Sequence, residues 1–172
     1  AALLSARLNR KTKILVPHNI SPNRLAVLKT YTGSAGLKIE KVGYDKKTGM
    51  MDLEDLKIKV DDTTSAVYVE TPSYLGFAEE NVKAIGEIAH AKKAVYITGV
   101  DPISLGLLKA PGSYGADIVV GEGQPLGNHM NFGGPLLGIF ACNHDNAIIR
   151  QMPGRIIGVT ETLEDQRRAF VM

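Results

Sequence analysis

An imidazole, a phenol, a carboxylate and an amide follow four separate apolar runs of this sequence. They belong to His18, Tyr74, Asp101 and Gln124. If the runs are parallel strands, the groups that follow them meet at one edge of a sheet, where open α/β sheets bind ligands. Together these four groups have the chemistry to hold a small polar molecule.

Each residue also has an ordinary structural interpretation. His18 would be a solvated loop residue, and Asp101 would cap the short helix that follows it. Tyr74 would contribute to packing, and Arg150 and Arg155 would lie on an exposed face. The residue types alone leave both interpretations open.

The elements that position these groups alternate between short β-branched runs and amphipathic stretches. Apolar runs that indicate strands lie at 14–16, 37–42, 65–69, 94–97 and 118–120. Helices are predicted at 22–33, 52–60 and 79–92. Continuous apolar strands separated by helices predict a largely parallel sheet that is covered on both faces.

Several helix details follow from residue type and spacing. Ser21 is an expected N-cap with a proline at the first helical position, and Asp52 is the expected cap of the second helix. Tyr31 falls on the packed side of the first helix by its spacing. Glu79 and Lys83 are four residues apart, which predicts that they face solvent together on the third helix.

The sequence changes character after residue 112. Eight of the 18 glycines lie between Gly112 and Gly138, which indicates tight turns. The apolar run 136–141 follows without a helix long enough for a parallel crossover, so we expect an antiparallel strand there. The predicted fold class is α/β, a three-layer α/β/α arrangement whose mostly parallel sheet contains one antiparallel strand.

Composition excludes several classes of function. The chain has 20 basic and 18 acidic residues and a net charge of +2, which does not indicate a nucleic-acid or membrane-surface protein. Four scattered histidines give no metal-ligand spacing. The segment 121–127 has neither the glycine spacing nor the following helix of a dinucleotide-binding loop.

The single cysteine and the two ends carry three further expectations. Cys142 is interpreted as a small buried hydrophobic residue. Because one cysteine cannot form an internal disulfide, we expect a cytoplasmic location. The ends show neither an initiator methionine nor a polar tail, so we expect residues 1–172 to be a piece of one larger domain.

Long motifs in this sequence resemble the glycine cleavage system P-protein family. They are GADIVVGEGQPLG at 115–127, FGGP at 132–135 and RQMPGR at 150–155, supported by DPISLGLL at 101–108 and PSYLG at 72–76. The resemblance covers essentially the whole chain. It implies part of a fold-type-I large domain, the fold of many enzymes that depend on pyridoxal phosphate.

The resemblance also indicates which cofactor groups to expect. Asp101 occupies the position of the aspartate that pairs with the pyridinium nitrogen in active relatives. The loop in which those enzymes carry the Schiff-base lysine contains Gln124 here, and Lys109 is the last lysine of the chain. A Schiff base requires a primary amine, which glutamine lacks.

The resemblance therefore implies a subunit of a glycine decarboxylase, with pyridoxal phosphate and its lysine on a second subunit. Glycine and the lipoyl H-protein would be its other partners. Asp101, His18 and Gln124 would be remnants of a cofactor pocket, and no residue of this chain would be catalytic. The expected substrate or interface residues are Tyr74, Asn128, Asn131, Arg150 and Arg155.

Two alternatives remain open from the sequence. One is a self-sufficient fold-type-I enzyme, an aldolase or a desulfurase-like protein, whose lysine lies elsewhere. Desulfurase chemistry would need a nucleophilic cysteine in a mobile loop, and Cys142 ends an apolar run instead. The other alternative is a scaffold that takes no part in turnover.

Overall fold

The computed structural model describes residues 1–130, 132–133, 136–154 and 156–171. Its main sheet has six strands in the order β2-β1-β3-β4-β5-β6. Their bounds are β1 Lys13–Pro17, β2 Lys38–Val42, β3 Thr64–Glu70, β4 Val95–Val100, β5 Ile118–Glu122 and β6 Gly138–Cys142. Each of the five predicted runs overlaps one of the first five strands.

The sheet is parallel except at β6. The pairs β2-β1, β1-β3, β3-β4 and β4-β5 are all parallel. Strand β6 pairs antiparallel with β5, with Gly121 opposite Ile139. The prediction of one antiparallel strand is confirmed, and in the described part of the segment between the two strands the one helical element is a short 3-10 turn, Gln124–Leu126.

Helices cover both faces of this sheet. They are α1 Ala2–Asn9, α2 Pro22–Gly33, α3 Leu53–Lys59, α4 Val82–Ala91 and α5 Asn146–Ile149. On one face α3 and α4 bury Leu56 and Ile85 against the strands. On the other face α1 and α5 bury Leu4 and Ile148, with Leu28 of α2 packed beside them. The three-layer α/β/α prediction is confirmed.

A separate two-stranded antiparallel sheet follows, formed by β7 Gly158–Glu161 and β8 Arg168–Val171. The sequence analysis did not predict it, because its strands are short and their apolar residues are exposed. Val159 and Phe170, which pair across it, are 65% and 74% exposed. Within the described ranges, no helix is long and apolar enough to cross a membrane.

The two predicted helix caps differ in outcome. The Asp52 carboxylate accepts hydrogen bonds from the backbone N–H groups of Glu54 and Asp55, at 2.9 and 3.2 Å, so this cap is confirmed. Ser21 lies at the N-cap position of α2, but its side chain makes no capping hydrogen bond. Ser21 also lines the polar cleft described in the next subsection.

Two predicted side-chain positions are wrong. Tyr31 is 64% exposed, because the sheet surface beneath this end of α2 is an open groove. Glu79 precedes α4, which begins at Val82, and it is buried. Its carboxylate accepts hydrogen bonds from the backbone N–H groups of Met51 and Asn81, at 2.8 and 3.0 Å, which compensate for its burial.

Candidate functional site

A polar cleft of about 270 Å³ opens beside the carboxyl ends of β3 and β4 and the first turn of α2. This is the edge of a parallel sheet at which α/β proteins bind ligands. Glu70 ends β3 and Asp101 directly follows β4, so the strands themselves carry both carboxylates to the cleft. The polar lining consists of Ser21, Arg24, Glu70, Ser73, Tyr74 and Asp101.

The predicted capping role of Asp101 is confirmed. Its Oδ1 accepts a hydrogen bond from the backbone N–H of Ile103 at 3.0 Å and so caps the 3-10 helix Pro102–Gly106. The residue is exposed and lines the cleft. Tyr74 lines the same cleft and is 58% exposed, so its ring is available to a ligand.

An ion pair between a buried carboxylate and a half-exposed guanidinium forms one wall of the cleft. The side chain of Glu70 is 2% exposed, and its Oε1 lies 3.0 Å from Nη1 of Arg24. The Tyr68 hydroxyl donates to the same oxygen at 3.1 Å. The sequence analysis did not predict this contact, because no local pattern links α2 to β3.

The protonation states of this wall follow from its burial. Burial, and after it the charge of Glu70, raises the pKa of the Tyr68 hydroxyl well above its ordinary value. Burial alone would lower the pKa of the Arg24 guanidinium, but Tyr68 and Glu70 raise it overall. Tyr68 therefore remains a donor, and Arg24 remains charged, across the neutral pH range.

Gln124 and Asn128 lie in the segment after β5. The Gln124 side-chain Nε2 donates to the backbone carbonyl of Asn128 at 2.6 Å, which fixes the amide in place. Glu122 closes the base of this segment, since its Oε1 accepts from the backbone N–H groups of Gln124 and Leu137, at 3.0 and 2.7 Å. Gln124 is not among the residues that line the polar cleft.

The other candidate residues are more dispersed. His18 is exposed after β1, with its ring 5.8 Å from that of Tyr44, and it does not line the polar cleft. Arg150 is exposed at the end of α5. Asn131 and Arg155 lie outside the described residues. The structure thus brings together Asp101 and Tyr74 from the predicted set and adds Arg24 and Glu70.

A larger groove of about 600 Å³ lies between α2 and the sheet. Its walls are mostly apolar and include Val27, Leu28 and Tyr31. Arg24 lines both this groove and the polar cleft. We place the candidate site in the smaller cleft, because specific recognition needs the polar groups that converge there.

The thiol of Cys142 is not activated. The residue is partly buried at the end of β6, and its Sγ donates to Sδ of Met152 at 3.4 Å. Burial, and after it the charge of Asp145, raises the pKa of this thiol. A raised pKa keeps the sulfur protonated and weakly nucleophilic.

Comparison with known proteins places this geometry in a family. The family model described as glycine cleavage system P-protein matches residues 1–172. The chain belongs to the glycine cleavage system P-protein family. A P-protein family member from Staphylothermus marinus, named probable glycine dehydrogenase (decarboxylating) subunit 1, is 54% identical over the whole chain. A relative of the same name from Thermococcus onnurineus is 55% identical over the whole chain.

The chain spans 37% and 38% of the length of these two relatives. Solved structures agree with the family assignment. A crystal structure of glycine decarboxylase (P-protein) in inhibitor-bound form is 38% identical, with a TM-score of 0.86 over 99% of this chain and 37% of that one. A putative O-acetylhomoserine (thiol)-lyase from Campylobacter jejuni, which contains a pyridoxyl-lysine phosphate, matches in fold only, at 21% identity, 70% of this chain, 29% of that one and a TM-score of 0.54.

The carboxyl edge of this P-protein family chain does not fit covalently bound pyridoxal phosphate. Asp101 is present, but the loop after β5 contains Gln124 in place of an amine. The Gln124 amide N–H donates a hydrogen bond to the backbone carbonyl of Asn128, and an amide nitrogen is not a nucleophilic amine. The sequence contains no lysine after Lys109. Asp101 alone cannot anchor the cofactor.

Proposed function

We propose that this chain is a subunit of a glycine decarboxylase that supports the reaction without carrying the Schiff-base lysine. A second subunit would hold pyridoxal phosphate, which supplies the electron sink for decarboxylation. Glycine would be the substrate, and the lipoyl H-protein would receive the aminomethyl group. The relatives named subunit 1, identical at 54% and 55% over this whole chain, support this assignment.

One observation carries the proposal. The edge of the sheet retains Asp101 at the end of β4, while Gln124 stands in the loop where the reaction needs an amine. Glutamine cannot form a Schiff base, which supports placing the covalent step on the second subunit. His18, Asp101 and Gln124 are then remnants of a cofactor pocket, and their side chains are free to serve structure.

The segment after β5 is the proposed contact with the second subunit. Its apolar side chains are unusually exposed: Leu126 is 59%, Met130 91% and Phe132 108% exposed. Leu107, 95% exposed, extends from the neighbouring 3-10 turn, which contacts this segment. Exposed apolar residues in one region are typical of a protein-binding surface. Tyr74, Asn128, Asn131, Arg150 and Arg155 would contribute its polar contacts.

The alternatives have less support. A desulfurase-like enzyme needs a low-pKa thiolate, whereas burial raises the pKa of Cys142. A self-sufficient enzyme needs a lysine at the carboxyl edge, which the loop after β5 lacks. For the proposed subunit, the single cysteine supports a cytoplasmic location.

Reconstitution tests the proposal. Glycine–bicarbonate exchange is measured for the second subunit alone and after addition of this chain. We expect exchange to rise with added chain and to saturate at a fixed stoichiometry. Equal exchange in both samples would favour the non-catalytic scaffold instead.

A second measurement addresses cofactor placement. Borohydride reduction of the complex with pyridoxal phosphate, followed by peptide mass spectrometry, locates the modified lysine. We expect the adduct in the second subunit. A stoichiometric adduct on a lysine of this chain would overturn the proposed division of labour.

A further inference from the structure

The amino edge of the sheet, opposite the candidate site, carries a cluster of basic residues. They precede the parallel strands β1 and β4, and we call them the amino-edge patch: Arg10, Lys11, Lys92 and Lys93. Nζ of Lys11 donates to the backbone carbonyl of Lys92 at 2.5 Å. Nδ2 of Asn9 lies 3.5 Å from the backbone carbonyl of Lys93. These contacts hold like charges from the ends of α1 and α4 close together.

The carboxylates beside the patch balance only part of its charge. Asp62 lies 3.4 Å from Nζ of Lys92, and its side chain is 90% exposed. The neighbouring Asp61 is paired with Lys13 at 2.6 Å. Within the ranges that the structure describes, no carboxylate lies within 4.0 Å of the charged groups of the other three members of the patch. A positive surface remains, and such a surface attracts a negatively charged partner.

Two members of the patch have backbone conformations that do not suit their residue type. Arg10 has a φ of 58°, and Lys93 has a φ of 53°. Glycine or asparagine is favoured in this left-handed region, which commonly follows a helix. Local backbone preference therefore does not explain a basic residue at either position. Such conflicts between residue type and local structure are typical of functional sites.

The helix ends explain part of this pattern. A cation near the C-terminus of a helix interacts favourably with the helix dipole. One cation at each end would be enough for that purpose, whereas the end of α4 has three, Lys11, Lys92 and Lys93. Additional cations repel one another, so helix stability alone does not account for the cluster.

We propose that the amino-edge patch binds an acidic protein, a partner that presents several carboxylates on its surface. A nucleic-acid backbone fits less well, because its uniform negative charge would also face Asp61 and Asp62. A lipid surface fits less well, because none of the large exposed apolar side chains of the described residues lies at 7–13, 61–63 or 90–94. The patch is separate from the carboxyl edge, so this interaction goes beyond the proposed function.

Poly-L-glutamate is the probe for such a carboxylate-rich surface. Its binding to the full chain is measured by fluorescence anisotropy at low and at higher salt. We expect binding that weakens as salt rises, because the patch is exposed and salt screens its charge. NMR locates the contact, with shifts expected for the backbone amides of Arg10 and Lys93 and not for that of Ile103 beside the candidate site.

A double variant tests the patch directly. Arg10→Asn with Lys93→Asn removes two charges and places at both positions a residue that suits the left-handed backbone. This variant should remain folded and should bind poly-L-glutamate about tenfold more weakly, since two exposed ion pairs are lost. Lys29→Gln with Lys83→Gln is the matched control, because it removes the same charge from exposed positions of α2 and α4. The control should change the affinity by less than about twofold.

Equal affinity of the double variant and the control for poly-L-glutamate overturns the inference. A double variant that melts at lower temperature but binds as the unmodified chain does would show that the cations serve only the helix ends. Tighter, patch-dependent binding of duplex DNA or of phosphatidylserine vesicles would likewise overturn the assignment to an acidic protein. If the double variant does not fold, the amide shifts of the unmodified chain decide, and shifts away from the patch reject the inference.

Discussion

Asp101, Glu70 and Tyr68 show how neighbouring polar groups divide their hydrogen bonds. Asp101 caps a 3-10 turn with Oδ1 and also lines the cleft. Oε1 of Glu70 contacts Arg24 and Tyr68, and these contacts offset the desolvation cost of burying the carboxylate.

Tyr68→Phe should destabilise the protein by about 1–3 kcal/mol, because the buried Glu70 loses a hydrogen bond donor. Urea denaturation followed by circular dichroism measures this change. Tyr44→Phe is the control, since Tyr44 is 41% exposed. Equal free energies of unfolding for the two variants would contradict the importance of the Tyr68 contact.

Asp61 should make stability depend on pH in the acidic range. A hydrogen bond from Lys13 at 2.6 Å, followed by one from Thr63, holds the pKa of Asp61 below its ordinary 3.8. Its contribution is complete above pH 3.8 and is lost as the pH falls through the folded-state pKa.

Asp61→Asn should accordingly lower Tm at pH 7, and the difference from the unmodified chain should shrink below pH 3.8. Thermal melts from pH 7 to the acidic limit measure both effects. Asp62→Asn is the neighbouring control, and its 90% exposed side chain should matter less. A constant difference at every pH would exclude titration of Asp61 as the cause.

At the scale of elements, one close approach and one pair of hydrogen bonds connect neighbouring strands near the carboxyl edge. Strands β3 and β4 meet where Tyr68 lies over Gly99, and a Cβ on Gly99 would overlap the tyrosine hydroxyl and lie 3.0 Å from its Cζ. Strands β5 and β6 are joined across the base of their connection by Glu122. The first lies between the two strands that lead to the candidate site, and the second closes the neighbouring connection.

Gly99→Ala should cost about 1–3 kcal/mol, because the added methyl displaces Tyr68 and disturbs its contact with Glu70. Urea unfolding gives the free energy. Gly106→Ala is the matched control, since a Cβ there meets no atom within 4 Å. A similar loss in both variants would contradict the importance of the close approach at Gly99.

Glu122→Ala should loosen the connection between β5 and β6. Removing the carboxylate takes away the acceptor of the Gln124 and Leu137 amides, so both should exchange hydrogen faster. Glu122→Gln retains an acceptor oxygen and should change exchange far less. Unchanged protection in the alanine variant would show that other contacts close the connection.

At the scale of the whole molecule, the carboxyl edge of the sheet differs in chemistry from its two broad faces. The carboxyl edge carries the polar cleft and the exposed apolar residues of the segment after β5. The broad faces are buried beneath helices in two core clusters. The candidate site and the proposed subunit contact therefore both lie at one edge of the sheet.

Arg150→Glu should weaken association with the second subunit about tenfold, through charge reversal at the proposed contact. Analytical ultracentrifugation of mixtures measures the dissociation constant. Lys29→Glu is the control, because Lys29 is an exposed residue of α2 rather than of the proposed contact. Unchanged association of the Arg150 variant would remove this residue from the interface.

The sequence by itself determined the α/β class, the positions of the parallel strands, the antiparallel β6 and the cap at Asp52. It also determined that no lysine follows Lys109. These features are local: apolar periodicity, capping chemistry and the length of a connection each act within a few residues. Because these features are local, the sequence alone was enough to predict them.

Only the tertiary structure decided how distant residues meet. It paired Arg24 of α2 with Glu70 of β3, and buried Glu79 against the backbone of Met51. It also separated Asp101, which lines the cleft, from Gln124, which is fixed to Asn128. Long-range contacts depend on how loops pack over the sheet edge, and neither residue type nor spacing encodes that packing.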